Sequence, residues 1–209
     1  MSAVWLASAS ARRGELLRNH FQKKEYATNL FQQPLISEEL PEQFGMEVSS
    51  QVQAIALSKL HSAHAELLLG RAESIFDSDQ VQDEIFVLIS DTLVEDPDST
   101  TLALGKPSTA SEALSMFVQL SDKRHLVWSA TGLIFPERMQ SYIKNKGAII
   151  EHLSHAKMGM IWIEHSVVEV PALEIDVIEE LVRSEGWIGK AGGYDLAEEM
   201  GGFAKVISG

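Results

Sequence analysis

No cysteine occurs anywhere in the 209 residues, so disulfides, thiolate metal sites and a cysteine nucleophile are all excluded. Positive charge is scarce: 17 Lys and Arg stand against 30 Asp and Glu, for a formal net charge of −13. So acidic a chain has no broad basic face for a polyanion, which argues against a nucleic-acid coat protein. A small anionic substrate stays compatible, provided the few cations converge on one place. No apolar run approaches the roughly 20 residues that span a membrane. The opening Met1-Ser2-Ala3-Val4-Trp5-Leu6 delays its first basic residues to Arg12 and Arg13, the reverse of a signal peptide. A cytoplasmic location is expected. Internal repeats and low-complexity tracts are also missing.

What is there suits a globular chain: 45% apolar and 22% charged residues, with length for one large core or two modest lobes around a cleft. Residues 4–8 read as a short buried strand. Ser10 can cap a helix from Ala11 to about His20, with Leu16, Leu17 and Phe21 turned inward. Residues 31–45, holding Pro34, Pro41 and several acids, read as a loop. A helix over about 48–69 places Val52, Ile55, Ala56, Lys59 and Leu60 at helical spacing. Residues 85–89 form a fully apolar strand that ends at Ser90-Asp91-Thr92. Thr109-Ala110-Ser111-Glu112 is a capping-box pattern starting a helix to about Leu120, with Ala113, Leu114, Phe117 and Val118 buried. A long strand or hairpin arm over 125–135, a strand over 158–163 and a helix over 174–182 follow. Strands alternating with helices give an α/β class.

Four short constellations can carry chemistry. Ser8-x-Ser10-x-Arg12-Arg13 lies between a strand and a helix, where backbone amides and the helix dipole favour an anion. Two hydroxyls and two guanidiniums add donors for phosphate oxygens. The same residues read equally well as a capped helix with two solvated arginines. Asp91 follows a buried strand, and ligand sites in open α/β sheets lie outside strand carboxyl ends. A carboxylate there can hold Mg2+ or take a proton from water; it can also merely bond its own turn. Leu104-Gly105-Lys106-Pro107 lacks the GxxxxGK[ST] spacing of a P-loop and alone is a turn with a solvated lysine. Gly189-Lys190-Ala191-Gly192-Gly193-Tyr194 permits close backbone approach to a ligand. Lys59 alone reads as solvent-facing. His61 with His64, and His152 with His155, have metal-pair spacing but lack a third ligand, so they read as surface residues.

Taken in order, these motifs resemble the Maf family of nucleoside triphosphate pyrophosphatases. The likeness runs from Leu6 to about Gly209 and includes Leu120-Ser121-x-x-x-His125-x-Val127. It implies a Maf/Ham1-like α/β fold: a mixed central sheet flanked by helices, in one domain over residues 1–209, with two lobes and an active-site cleft between them. The implied reaction is hydrolysis of a nucleoside triphosphate between its α and β phosphates, giving the monophosphate and pyrophosphate, with Mg2+ or Mn2+. Asp91 matches the family's general base. Ser8, Ser10, Arg12, Arg13, Lys59, Thr92, Lys106, Lys190 and Tyr194 match the substrate-binding set. Glu38 (or Glu39), with Asp91, matches the metal-side acids. The implied partner is a nucleotide, with no nucleic acid or membrane, and pairing as a homodimer is compatible.

Three departures stand out. Ile89-Ser90-Asp91-Thr92 replaces the usual Gly-Ala-Asp-Thr or Gly-Ser-Asp-Gln; Thr92 resembles the branch acting on dTTP and UTP, Ser90 the branch acting on 7-methyl-GTP. Pyrimidines are the expectation. After Tyr194, Asp195-Leu196-Ala197-Glu198 stands where the family has Gly-Ile-Gln-Gly, and Ala197 cannot supply the polar contact of a Gln. Family members usually carry on past Ile207-Ser208-Gly209 into a last helix, so a sheet edge left to cover is the expectation here. A Ham1-like enzyme for non-standard purines such as ITP would need a Thr/Ser-Asn-x-x-Lys turn that this chain lacks. The alternative from another class is a nucleotide-binding regulator of septum formation without turnover.

Overall fold

Trp5 and Leu6, both fully buried, anchor the first strand, β1 (Ser2–Leu6), between two parallel neighbours. The computed structural model describes residues 2–25, 28–37, 40, 43, 45–71, 85–136, 139, 147–155, 157–197 and 202–209. After β1 come α1 (Ala11–Lys23), β2 (Thr28–Gln32), α2 (Val48–Leu68), β3 (Ile85–Asp96) and β4 (Ser99–Leu104). Then follow α3 (Ala110–Leu120), β5 (Lys123–Phe135), β6 (Ile149–His152), β7 (Met158–Val170), α4 (Ile175–Arg183) and β8 (Lys205–Ser208). The sheet order is β2-β1-β3-β5-β7-β6, with β4 on β3 and β8 on β7. β1 runs parallel to β2 and β3, whereas β4, β6 and β8 pair antiparallel with their neighbours. The sheet is therefore mixed, and the class is α/β as expected.

The chain divides into two compact units. The first comprises Met1–Leu40, Gln53–Asp91 and Ala130–Trp162. Here α2 buries Leu60 so closely against the sheet that a Cβ added at Gly159 would lie 2.5 Å from Leu60 Cδ2. Full burial of such a leucine contributes roughly 1.5–3 kcal/mol. The second unit comprises Pro41–Val52, Thr92–Ser129 and Ile163–Gly209. Its core joins Val94 and Leu104 to Phe117 and Leu120 of α3, Val168 of β7 and Ile178 of α4.

Several expectations need correction. β3 does not stop at residue 89: it continues through Asp91 to Asp96, and beyond Leu93 its pairing passes to β4. β7 likewise reaches Val170. Residues 28–32 are a strand, β2, where the loop was expected to begin at residue 31. On α1, Leu16 is exposed and Leu17 and Phe21 are half-buried; the buried position is Gly14. On α3, Val118 is exposed and Leu120 takes the inward place. His64 is buried under the Ser154 hydroxyl, 2.9 Å from its Nε2, contrary to a surface reading. β8, not anticipated from the sequence, pairs antiparallel with β7, Val168 opposite Val206.

Candidate active site

In the first unit, β1 gives way to a turn that its own sequence shapes. Ser8 N–H folds back to Leu6 O at 2.9 Å, and Ala7 N–H donates to Leu88 O of β3 at 2.9 Å. Ser10 then caps α1, its hydroxyl accepting the Arg13 amide at 3.4 Å. The buried Ser8 hydroxyl accepts from Ser10 N–H at 3.2 Å and from Arg13 Nη1 at 3.3 Å. The same Arg13 nitrogen donates to Ser90 O at 3.0 Å, so Arg13 straps the turn to the residue before Asp91. Arg12, its neighbour, is exposed.

A further brace comes from Gln32 of β2, which sequence reasoning missed. Its Nε2 donates to Ser8 O at 3.2 Å and to Ser10 O at 2.7 Å, while its Oε1 accepts from Arg18 Nη2 at 3.1 Å. Gly14 makes the room: a Cβ there would stand 1.9 Å from Gln32 Oε1. No local pattern around Gln32 announces this role, since it depends on the parallel register Leu6↔Gln32.

Lys59 and Asp91 meet in the same unit. Lys59 Nζ lies 2.7 Å from Asp91 Oδ1, with the side chains 12% and 15% exposed. Lys59 is therefore drawn into a largely buried ion pair rather than facing solvent. Asp91 sits three positions beyond Leu88, the last β3 residue paired with β1. It thus lies past the carboxyl end of β1, where open sheets place their ligands.

The second unit holds Thr92, Lys106, Lys190 and Tyr194. Thr92 is half-buried in β3 and Lys106 is exposed, two residues after the Val94↔Leu104 pair. Gly192 N–H donates to Gly105 O at 2.9 Å, joining the loop of Lys190 to the loop of Lys106. Gly192 has φ +65°, and a Cβ there would lie 3.0 Å from both Val94 methyls, so conformation and closeness both require glycine. Tyr194 closes the turn from inside: its ring is buried in the core, and its hydroxyl lies 2.6 Å from His125 Nε2. His125 is 3% exposed, and burial pushes its pKa down to about 4. Burial, then the charge of Asp195, pushes the Tyr194 phenol upward. A neutral imidazole and a neutral phenol thus fasten the glycine turn.

Ala197 is exposed, its amide donating to Asp195 Oδ1 at 2.8 Å. Glu38 and Glu39 lie outside the described residues. Among the described residues, no cluster of three or more His, Asp or Glu has the arrangement of a metal site. No described helix is long and apolar enough to cross a membrane.

A family model described as "Maf-like protein" matches residues 3–209. The chain belongs to the Maf family. Three relatives show how far the likeness reaches along a Maf chain. A dTTP/UTP pyrophosphatase of Clostridium acetobutylicum is 28% identical over 206 residues, which cover 98% of this chain and 86% of that protein. One from Agathobacter rectalis is 29% identical over 212 residues, covering 100% and 87%. One from Psychrobacter arcticus is 26% identical over 202 residues, covering 92% and 80%.

Proposed function

We propose that this Maf protein is a nucleoside triphosphate pyrophosphatase that cleaves between the α and β phosphates and acts on dTTP and UTP. The observation that carries the reading is the Lys59–Asp91 pair at 2.7 Å in the unit that also holds the braced Ser8–Arg13 turn. Membership of the family, and relatives named dTTP/UTP pyrophosphatase, support the reaction and the pyrimidine preference. Phosphoanhydride hydrolysis asks for charge neutralisation and an in-line water more than for covalent chemistry. In this reading the amides at the start of α1, with Ser8, Ser10 and Arg12, take phosphate oxygens. Lys59, Lys106 and Lys190 add positive charge, and Thr92 a hydroxyl. Arg13 holds the turn against β3, and Tyr194 holds the glycine turn of Lys190. Asp91 orients the attacking water and accepts its proton.

A divalent ion fits this donor set in one respect. Mg2+ and Mn2+ accept one or two carboxylates and fill their remaining positions with water and phosphate oxygens. Asp91 would hold it, with Glu38 as second acid; bound there, it would neutralise charge gathering on the phosphate chain. With nucleoside triphosphates as substrates, the working place is the cytoplasm. The test is a panel of dTTP, UTP, CTP, 7-methyl-GTP and ITP, with Mg2+ or Mn2+, assayed for pyrophosphate and monophosphate. Fastest release from dTTP or UTP is expected; no release from any of them overturns the reading.

A further inference from the structure

In the second unit, alternation sorts the central strands into two faces. Val94 of β3 and Val168 of β7 point into the core with α3 and α4, and His125 of β5 points to Tyr194 on that side. Glu95, Trp128 and His165 each stand an odd number of positions from one of these residues, so they project from the opposite face. They come from three adjacent strands, β3, β5 and β7. There they meet. Trp128 Nε1–H donates to Glu95 Oε2 at 2.7 Å, and the Trp128 and His165 rings lie 4.7 Å apart at 45°.

Two features of this cluster are unexplained by packing. Glu95 is only 8% exposed, yet among the described residues its carboxylate has no ion-pair partner, only a neutral indole N–H. Burying a carboxylate is costly, and an apolar residue would serve packing better. His165 is exposed and Trp128 half-buried, so aromatic surface is presented at a sheet face beside a hydrogen-bond acceptor. That combination reads flat heterocycles: aromatic rings on a sheet stack any base, and an acceptor beside them selects the base whose edge donates.

We infer that Glu95, Trp128 and His165 read the nucleobase of the substrate, taking a ring N–H that lies beside a carbonyl, as in uracil, thymine, guanine and hypoxanthine. This rests on the pyrophosphatase reading above. Trp128 and His165 supply stacking surface, and a carboxylate oxygen of Glu95, which has lone pairs beyond the one engaged by the indole, accepts the ring N–H. Cytosine and adenine carry a ring lone pair at that position, which a carboxylate repels.

The experiment compares the protein with its Glu95→Gln, Trp128→Phe and Trp128→Ala variants. It measures kcat/KM for UTP, CTP, GTP and ATP, and calorimetric affinity for UMP and CMP. Gln has the shape of Glu but can donate as well as accept, so the UTP:CTP and GTP:ATP preferences should each fall at least about tenfold. Trp128→Ala should lower kcat/KM and UMP affinity roughly 5- to 150-fold, with Trp128→Phe keeping most of both. A mere aromatic lid over a buried acid would alter thermal stability and leave the base ratios unmoved. Ratios unchanged in Glu95→Gln, or a parent protein indifferent between UTP and CTP, overturn the inference. If no nucleotide yields pyrophosphate, the pyrophosphatase reading fails, and UMP affinity alone decides this one: a loss in Trp128→Ala sustains it, and equal affinities overturn it.

Discussion

Replacing His125 with Gln should flatten the acid limb of the protein's stability curve. The folded chain holds this imidazole neutral by burial, with a pKa of about 4, against about 6.5 in an unfolded chain. Between those values the unfolded chain binds a proton that the folded chain refuses, so acid favours unfolding. The contribution is complete above pH 6.5 and is lost as pH falls through 4. At 1.36 kcal/mol per pH unit, the loss by pH 4.5 amounts to about 2–3 kcal/mol. Gln at this position is uncharged at every pH and can still meet the Tyr194 hydroxyl, which keeps the 2.6 Å contact possible. Urea unfolding followed by circular dichroism at pH 8, 7, 6, 5 and 4.5 gives both curves. His64 is also shifted down, by burial first and then by the charge of Lys157, but it is common to both proteins and cancels in the difference. The stability gap between parent and variant should close or invert by about 2–3 kcal/mol across this range. Parallel curves would refute the argument that His125 is neutral because it is buried.

Two glycines test the braces. Gly14→Ala places a methyl 1.9 Å from Gln32 Oε1; the amide must leave Ser8 O and Ser10 O, costing roughly 1–3 kcal/mol in thermal unfolding and raising KM for the nucleotide. Gly192→Ala meets both a left-handed backbone and Val94 at 3.0 Å, a strain of about 1–3 kcal/mol. Its effect should appear as weaker nucleotide binding through Lys106 and Lys190, measured by KM, with unchanged values counting against a shared turn.

Elements whose cause is local were legible in the sequence. Ser10 and Thr109 cap α1 and α3 through their own hydroxyls, as the residue types suggest, and α2 follows its apolar spacing almost end to end. β2, β4, β6 and β8 escaped because each is six residues or fewer, with little apolar signal, and exists through pairing with distant chain. β3 misled for a related reason: Ser90-Asp91-Thr92 looks like punctuation, whereas continued pairing carries the polar residues onward in a strand. Among the candidate site residues, the order of motifs named Lys59 and Asp91 but gave no account of their contact. That contact depends on α2 packing over β3, which no spacing along one segment reveals. Gln32, Glu95 and the buried His64 were invisible as site or core residues because their partners lie 14 to 90 positions away.

In the proposed mechanism Asp91 activates the water that attacks the α–β phosphoanhydride. The most direct measurement is kcat for pyrophosphate release from dTTP or UTP, with Mg2+ present, in the parent protein and in Asp91→Asn. The amide keeps the size of the side chain beside Lys59 and removes the base. A fall in kcat of roughly 10²- to 10⁴-fold, with the fold intact by circular dichroism, is the predicted result. Release at the parent rate would contradict it.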